Sequence, residues 1–243
     1  MFQEGGTCYA HAVATILYLV SRRVVGYTPA SNLNSKLGYG GLSFNNILDK
    51  LVKGYGKCGA NTKCVLDDWC RLFRFHCQRV DEEGARTALN KQRPLVATFG
   101  LEGNQWEIFS NFWKWPKQKK NVMDADDLPK GVPDINSGRH AVCLISHGKN
   151  GLRFLNSWGS DWGDGGFFRV ANGKVLDMTF YDVFFYESDL TQEERSAWKN
   201  KANEALQDLE KIFSLFLNHL AVQVPPVRAE ERNQGVPRRP CQS

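Results

Sequence analysis

A chain of 243 residues that is 42% hydrophobic and 23% charged is long enough to bury a full core and too apolar to be disordered throughout. Its formal net charge of +5 is spread along the sequence apart from a cluster at Lys117, Lys119 and Lys120. No aromatic-basic reading motif accompanies that cluster, so no nucleic-acid partner is expected and a solvated basic loop is.

In chain order, Thr7 is a good helix N-cap. The run from Cys8 to Val20 is apolar almost all round, and Arg22 and Arg23 follow where cations suit a helix end, which predicts a buried central helix. Its apolar part, Ala12 to Val20, is too short to cross a bilayer, and the opening Met-Phe-Gln-Glu lacks the positive start of a signal peptide. No membrane partner is expected, and the compartment is not legible.

The stretch SNLNSKLGYGGLSFNN reads as a loop rich in Gly, Asn and Ser, and FNNILDKLVKGYG as a short amphipathic helix with Phe44, Ile47, Leu48 and Leu51 on one side. From about Pro94 the runs RPLVATFGL, RHAVCLISH, LRFLNSW, GFFRVAN and VFFYES read as strands separated by turns. The piece between Trp106 and Asn136 lacks a clean period and reads as an excursion between two of them. Helix first and antiparallel sheet afterwards gives an α+β protein of two subdomains.

Thr191 and Glu194 form a capping-box pair, and the apolar repeat Ala205, Leu209, Ile212, Phe216, Leu220 predicts an amphipathic helix. That helix either folds back or offers its stripe to a protein partner. Beyond Val224 a disordered tail is expected. The expected organisation is a domain over 1–188, a helical extension over 189–223 and a tail over 224–243.

Seven cysteines are an odd count, so one thiol is left over if the rest pair within the chain. The spacing from Cys58 to Cys77 lacks paired C-x-x-C knuckles, which argues against a structural zinc site and leaves disulfides or plain thiols open. No metal or other cofactor is expected.

Cys8 heads its helix, where it is oddly exposed for a core thiol, and His140 heads a strand-like run after the turn Asn136 to Arg139. A hairpin at Lys149 to Gly151 would bring His140 and Asn156 to neighbouring places. Any of these residues alone reads as packing material or a turn. Together, GGTCYAHA, GGLSFNNILDKL, RHAVCL and NSWGSDWGDGGFFRV resemble the papain family of cysteine proteases across residues 3 to 187, with His140 and Asn156 roughly 130 to 150 positions beyond Cys8 as that family has them.

The resemblance implies a helical left part and an antiparallel sheet on the right with an active-site cleft between. It also implies a cysteine-type peptidase acting on a peptide or protein substrate. Cys8 would be the nucleophile, resting as thiolate beside an imidazolium at His140, and Asn156 would orient the ring. Gln3 would supply an amide to the oxyanion, and Trp158 would cover the histidine–asparagine bond. Gly40 and Gly41 would pair with extended substrate, and Ala141 would wall the specificity pocket.

Three departures stand beside it. The interval from Gln3 to Cys8 is one residue short, the usual cysteine before the nucleophile is absent with Gly38 near its partner's place, and Arg139 puts a cation next to the base. They motivate the alternative of a catalytically inactive domain that binds peptides or proteins.

Overall fold

The computed structural model describes residues 5–114, 121–132 and 137–201, with 203, 204, 207 and 211. The chain divides into two compact units, Met1–Trp198 and Lys199–Ser243. In the first unit the elements run α1 (Cys8–Arg23), α2 (Ser31–Leu37), α3 (Phe44–Tyr55), α4 (Thr62–Leu72), β1 (His76–Val80), α5 (Glu82–Asn90), β2 (Leu95–Leu101), α6 (Gln105–Lys114), β3 (Gly138–Gly148), β4 (Gly151–Leu155), β5 (Phe167–Val170) and β6 (Thr179–Phe184). In the second, the described residues 199–201, 203, 204, 207 and 211 are helical. Most of the extension from 202 onward and the whole tail from 224 lie outside the described residues, and so does the apolar repeat at Ala205, Leu209, Ile212, Phe216 and Leu220.

Six strands form one sheet in the order β1-β6-β2-β3-β4-β5 with every neighbouring pair antiparallel, so the protein is α+β. Two apolar clusters share the work of folding. One gathers α1 to α4 around Tyr9, Ile16, Leu17, Leu51, Trp69 and Phe73. The other packs α5 and α6 onto the sheet around Phe99, Phe109, Phe154 and Phe168. β3 serves both, because strand side chains alternate between faces: Ala141 and Cys143 meet the helical cluster, Val142 and Leu144 the other.

α1 is the central helix that its composition predicts, buried at ten positions from Tyr9 to Ser21. β3 packs against it, and the buried Cys143 thiol donates to the Ala12 carbonyl at 3.6 Å. The Tyr9 hydroxyl donates to the Gly56 carbonyl at 2.6 Å, tying the start of α1 to the end of α3. α3 starts at Ser43, whose hydroxyl accepts from the Asn46 N–H at 3.2 Å, and buries Ile47 and Leu51 on its apolar side.

Two expectations are corrected. Residues 31–37 form a helix inside the stretch read as loop, because Leu33 and Leu37 stand one turn apart and both are fully buried. Residues 105–114 form α6 inside the stretch read as an excursion, with Phe109 and Trp113 on one face against Phe168. The capping box at the far end is as expected: the Thr191 N–H donates to Glu194 Oε2 at 2.8 Å and the Glu194 N–H to Thr191 Oγ1 at 3.2 Å. Glu194 is also buried and receives both terminal nitrogens of Arg74, at 3.0 and 2.8 Å, together with the Thr28 N–H at 2.9 Å. Among the described residues no helix is long and apolar enough to cross a membrane.

Candidate active site

Cys8 is the first residue of α1 and half-buried. Thr7 precedes it, and the Thr7 side chain makes no capping hydrogen bond to the helix. The backbone N–H groups of Ala141 on β3, Tyr9 and Cys8 itself lie near enough to favour a charged sulfur at Cys8. All three stabilise a thiolate, but burial outweighs them and pushes the thiol above its ordinary range.

His140 lies on β3 beside Ala141, and Asn156 follows the last residue of β4. The two strands form an antiparallel hairpin that closes at Gly148 and Gly151, with a register shift between Leu144 and Ser146. Gly151 has φ +107° and its hydrogen-bearing side faces the Val170 carbonyl, where a Cβ would come within 2.1 Å, so this turn admits only glycine. The hairpin carries the Nε2–H of His140 to Asn156 Oδ1 at 2.8 Å, and that oxygen also accepts the Ser157 N–H at 2.8 Å. The Asn156 Nδ2 has no partner among the described residues.

Three aromatic rings box the imidazole. Trp158 lies 5.0 Å from it, tilted by 34°, and Phe99 and Trp106 meet it edge-on at 5.6 and 6.0 Å. That burial holds the His140 pKa down to about 4, against a smaller upward pull from the bond to Asn156. Burial therefore opposes charge on both partners, against the thiolate–imidazolium pair that the sequence led us to expect. The downward shift at His140 arises from burial and not from Arg139, which stands exposed on β3.

A cavity of about 500 Å³ opens beside the pair, its lining including Cys8, His140, Ala141, Cys58, Gly59 and Ala60. Ala141 thus walls the space next to Cys8. Gly40 and Gly41 do not line it: they occupy a 3-10 turn and the residue after it, where the Asn46 amide donates to the Gly41 carbonyl at 2.8 Å. The backbone along the cavity is instead that of Gly59 and Ala60. Gly6 donates its N–H to the Lys57 carbonyl at 2.8 Å, so the segment facing the approach to Cys8 is Lys57 to Gly59 rather than Gly38. The Cys-Gly-Ala-Asn run at 58–61, ending in the residue whose side chain accepts from Lys63 and Cys64 and caps α4, was the signal that could have found it. Trp106 and Phe99 were hidden in runs read as excursion and strand.

Gln3 lies outside the described residues. Among the described residues no group of His, Cys, Asp and Glu could hold a metal ion. His11 lines a second cavity of about 310 Å³ between α1 and the segment from Asn156 to Gly166.

Comparison with known proteins places this geometry in a context. A family described as "Papain family cysteine protease" matches residues 50–184, a stretch that includes His140 and Asn156 and begins after Cys8. Oryzain gamma chain of Oryza sativa subsp. japonica is 30% identical over 99 residues, which is 39% of this chain and 24% of that protein. Pro-cathepsin H of Mus musculus is 31% identical over 85 residues, 33% of this chain and 24% of that protein. The matched segment thus spans about a quarter of each of these relatives. Among solved structures, the bromelain protease from Ananas comosus, in complex with the E64 inhibitor, aligns over 76% of this chain and 94% of that one at 17% identity with a TM-score of 0.39.

Proposed function

This chain belongs to the papain family of cysteine proteases, and from the His140–Asn156 pair and Cys8 on one cavity wall we propose that it hydrolyses peptide bonds in a peptide or protein substrate through an acyl-enzyme. The observation that carries the reading is the 2.8 Å bond from His140 Nε2–H to Asn156 Oδ1. With Nε2 committed to that bond, Nδ1 is the nitrogen left to take a proton. The Cys8 sulfur lies near the N–H of Ala141, the residue next to His140, so thiol and base belong to one cavity wall.

The steps follow from these positions. As the sulfur attacks the scissile carbonyl carbon, its proton passes to His140 Nδ1, and the former carbonyl oxygen becomes an oxyanion. The N–H of Cys8 is a donor for that oxyanion, and the Gln3 amide is proposed as the second. Collapse breaks the C–N bond while His140 returns the proton to the departing amine. Water then attacks the thioester with His140 again taking a proton, and the acid leaves as the thiol is restored. His140 acts as a general base, a role open to it wherever the ring is unprotonated, and burial keeps it so down to a pH of about 4. Trp158, Trp106 and Phe99 keep water from competing for the bond that orients the ring.

Peptide hydrolysis by the reduced full chain, beside its Cys8→Ala and His140→Ala variants, tests the reading. Hydrolysis by wild type that both variants abolish is the expected result. Hydrolysis kept by Cys8→Ala would overturn it.

A second reading, a catalytically inactive domain that binds peptides, is favoured by the burial that raises the Cys8 thiol and lowers His140. A peptide held by fresh, reduced protein and left uncut would support it.

A further inference from the structure

Outside the active site, two more thiols meet. Cys70 lies in the last turns of α4, and Cys77 is the second residue of β1. The chain reverses between them through Arg74, which has φ +60°, and the Phe75 N–H donates back to the Cys70 carbonyl at 2.8 Å. This fold-back brings the two side chains to the wall of one cavity. They differ in surroundings: Cys70 is 2% exposed, while Cys77 is half-buried on a strand that β6 covers on one side. Both line a cavity of about 560 Å³, together with Asp67, Arg71, Arg74 and His76, so a small molecule in solvent reaches the pair.

We propose that Cys70 and Cys77 form a thiol–disulfide exchange site that takes a low-molecular-weight disulfide and closes to an intramolecular disulfide. The division of labour follows from the two environments. The neighbouring Cys70 thiol, with help from the Lys63 ammonium, holds Cys77 below its ordinary range against burial and the carboxylates of Asp67 and Asp182. The Cys77 thiol and deeper burial push Cys70 well above its own. Cys77 is thus the attacking sulfur and Cys70 the resolving one.

In the first step the Cys77 thiolate attacks one sulfur of the small disulfide, forming a mixed disulfide and releasing one small thiol. In the second, Cys70 gives up its proton and attacks the Cys77 sulfur of the mixed disulfide, releasing the other small thiol. The small disulfide gains two hydrogens in all, and the protein loses two. The new bond joins α4 to β1. The first turn of α4, at Thr62 and Lys63, lies along the cavity that holds Cys8.

Incubation of the reduced full chain with oxidised glutathione, alkylation of remaining thiols and unreduced tryptic mapping tests the site. Cleavage at Lys63, Arg71, Arg74 and Arg79 leaves Cys70 in residues 64–71 and Cys77 in residues 75–79. The expected product is these two peptides linked and two hydrogens lighter than their sum, and the link persists in Cys64→Ser. Cys70→Ser is expected to leave the glutathione adduct standing on Cys77, and Cys77→Ser to leave Cys70 without an adduct. A wild-type chain in which both residues carry the alkyl label, or in which Cys77 keeps its adduct, would overturn the proposal. None of these readouts depends on peptide hydrolysis, so the site stands or falls apart from the reading of Cys8.

Discussion

His140 and Asn156 meet at 2.8 Å through Nε2–H and Oδ1, and the same oxygen is fixed from behind by the Ser157 N–H at 2.8 Å. Two donors on one oxygen leave the amide no freedom to turn, so the imidazole plane is set by the end of β4 rather than by its own rotamer. Asn156→Ala removes one neutral hydrogen bond worth about 1 kcal/mol net. A loss of about fivefold in kcat/KM is expected. Unchanged steady-state kinetics would show that the ring needs no such anchor.

Asn156→Asp keeps the acceptor and adds a charge. A carboxylate beside His140 favours the imidazolium, so the acid limb of kcat/KM should move up from a pH of about 4 toward the ordinary histidine range. A pH–rate profile checks it, and an acid limb that stays in place would rule out His140 as the titrating base.

Stability has its own pH dependence at the same residue. The folded His140 pKa of about 4 lies below the unfolded value, so between about pH 6.5 and 4 the unfolded chain binds more protons. Stability is then fully present above about 6.5 and falls as pH drops toward 4, by on the order of 3 kcal/mol from this group. Thermal melts of wild type and His140→Ala across that window should converge as pH falls. Parallel curves would contradict the assignment.

Gly6 tests how closely Cys8 must be held. A Cβ at this position would come within 2.7 Å of the Gly59 nitrogen and 2.8 Å of the Cys58 carbonyl carbon, both backbone atoms that cannot step aside. Gly6→Ala should therefore shift the segment carrying Cys8 or the cavity wall opposite. Displacement by about 1 Å can cost on the order of a hundredfold in rate. Hydrolysis should fall far more than the melting temperature, and full activity in this variant would show that the contact does not position the thiol.

Glu194 is a buried anion, receiving Arg74 twice and the N–H groups of Thr28 and Thr191. Burial alone would raise its pKa, yet Arg74 and the two N–H groups together bring it below the ordinary carboxylate range. Glu194→Ala strands the Arg74 guanidinium and should destabilise by roughly 3 kcal/mol, read as a lower denaturant midpoint at neutral pH. The depressed pKa contributes stability above the unfolded carboxyl value, which is lost as pH falls through the folded one. The difference between wild type and variant should shrink in acid.

What the sequence by itself determined lies where local chemistry and spacing coincide. The apolar run after Cys8 could only be a buried helix, the Thr191 and Glu194 pair could only begin one, and the strand-like runs at 95–101, 138–148 and 151–155 carry the hairpin that brings His140 toward Asn156. α2 and α6 escaped because their polar or aromatic composition looks like loop until the faces bearing Leu33 and Leu37, or Phe109 and Trp113, find a core to enter.

Only the tertiary structure decided which glycine-bearing segment runs along the cavity. Gly40 with Gly41 and Gly59 with its neighbours look alike in sequence, and the hydrogen bond from Gly6 to Lys57 selects the second. Charge state was likewise invisible. A helix end and an imidazole beside a thiol predict an ion pair, but how far that prediction holds depends on the water removed by Trp158, Trp106 and Phe99, and no local pattern joins the last two to His140. Desolvation is a property of everything packed around a group, and it takes the folded chain to assemble those surroundings.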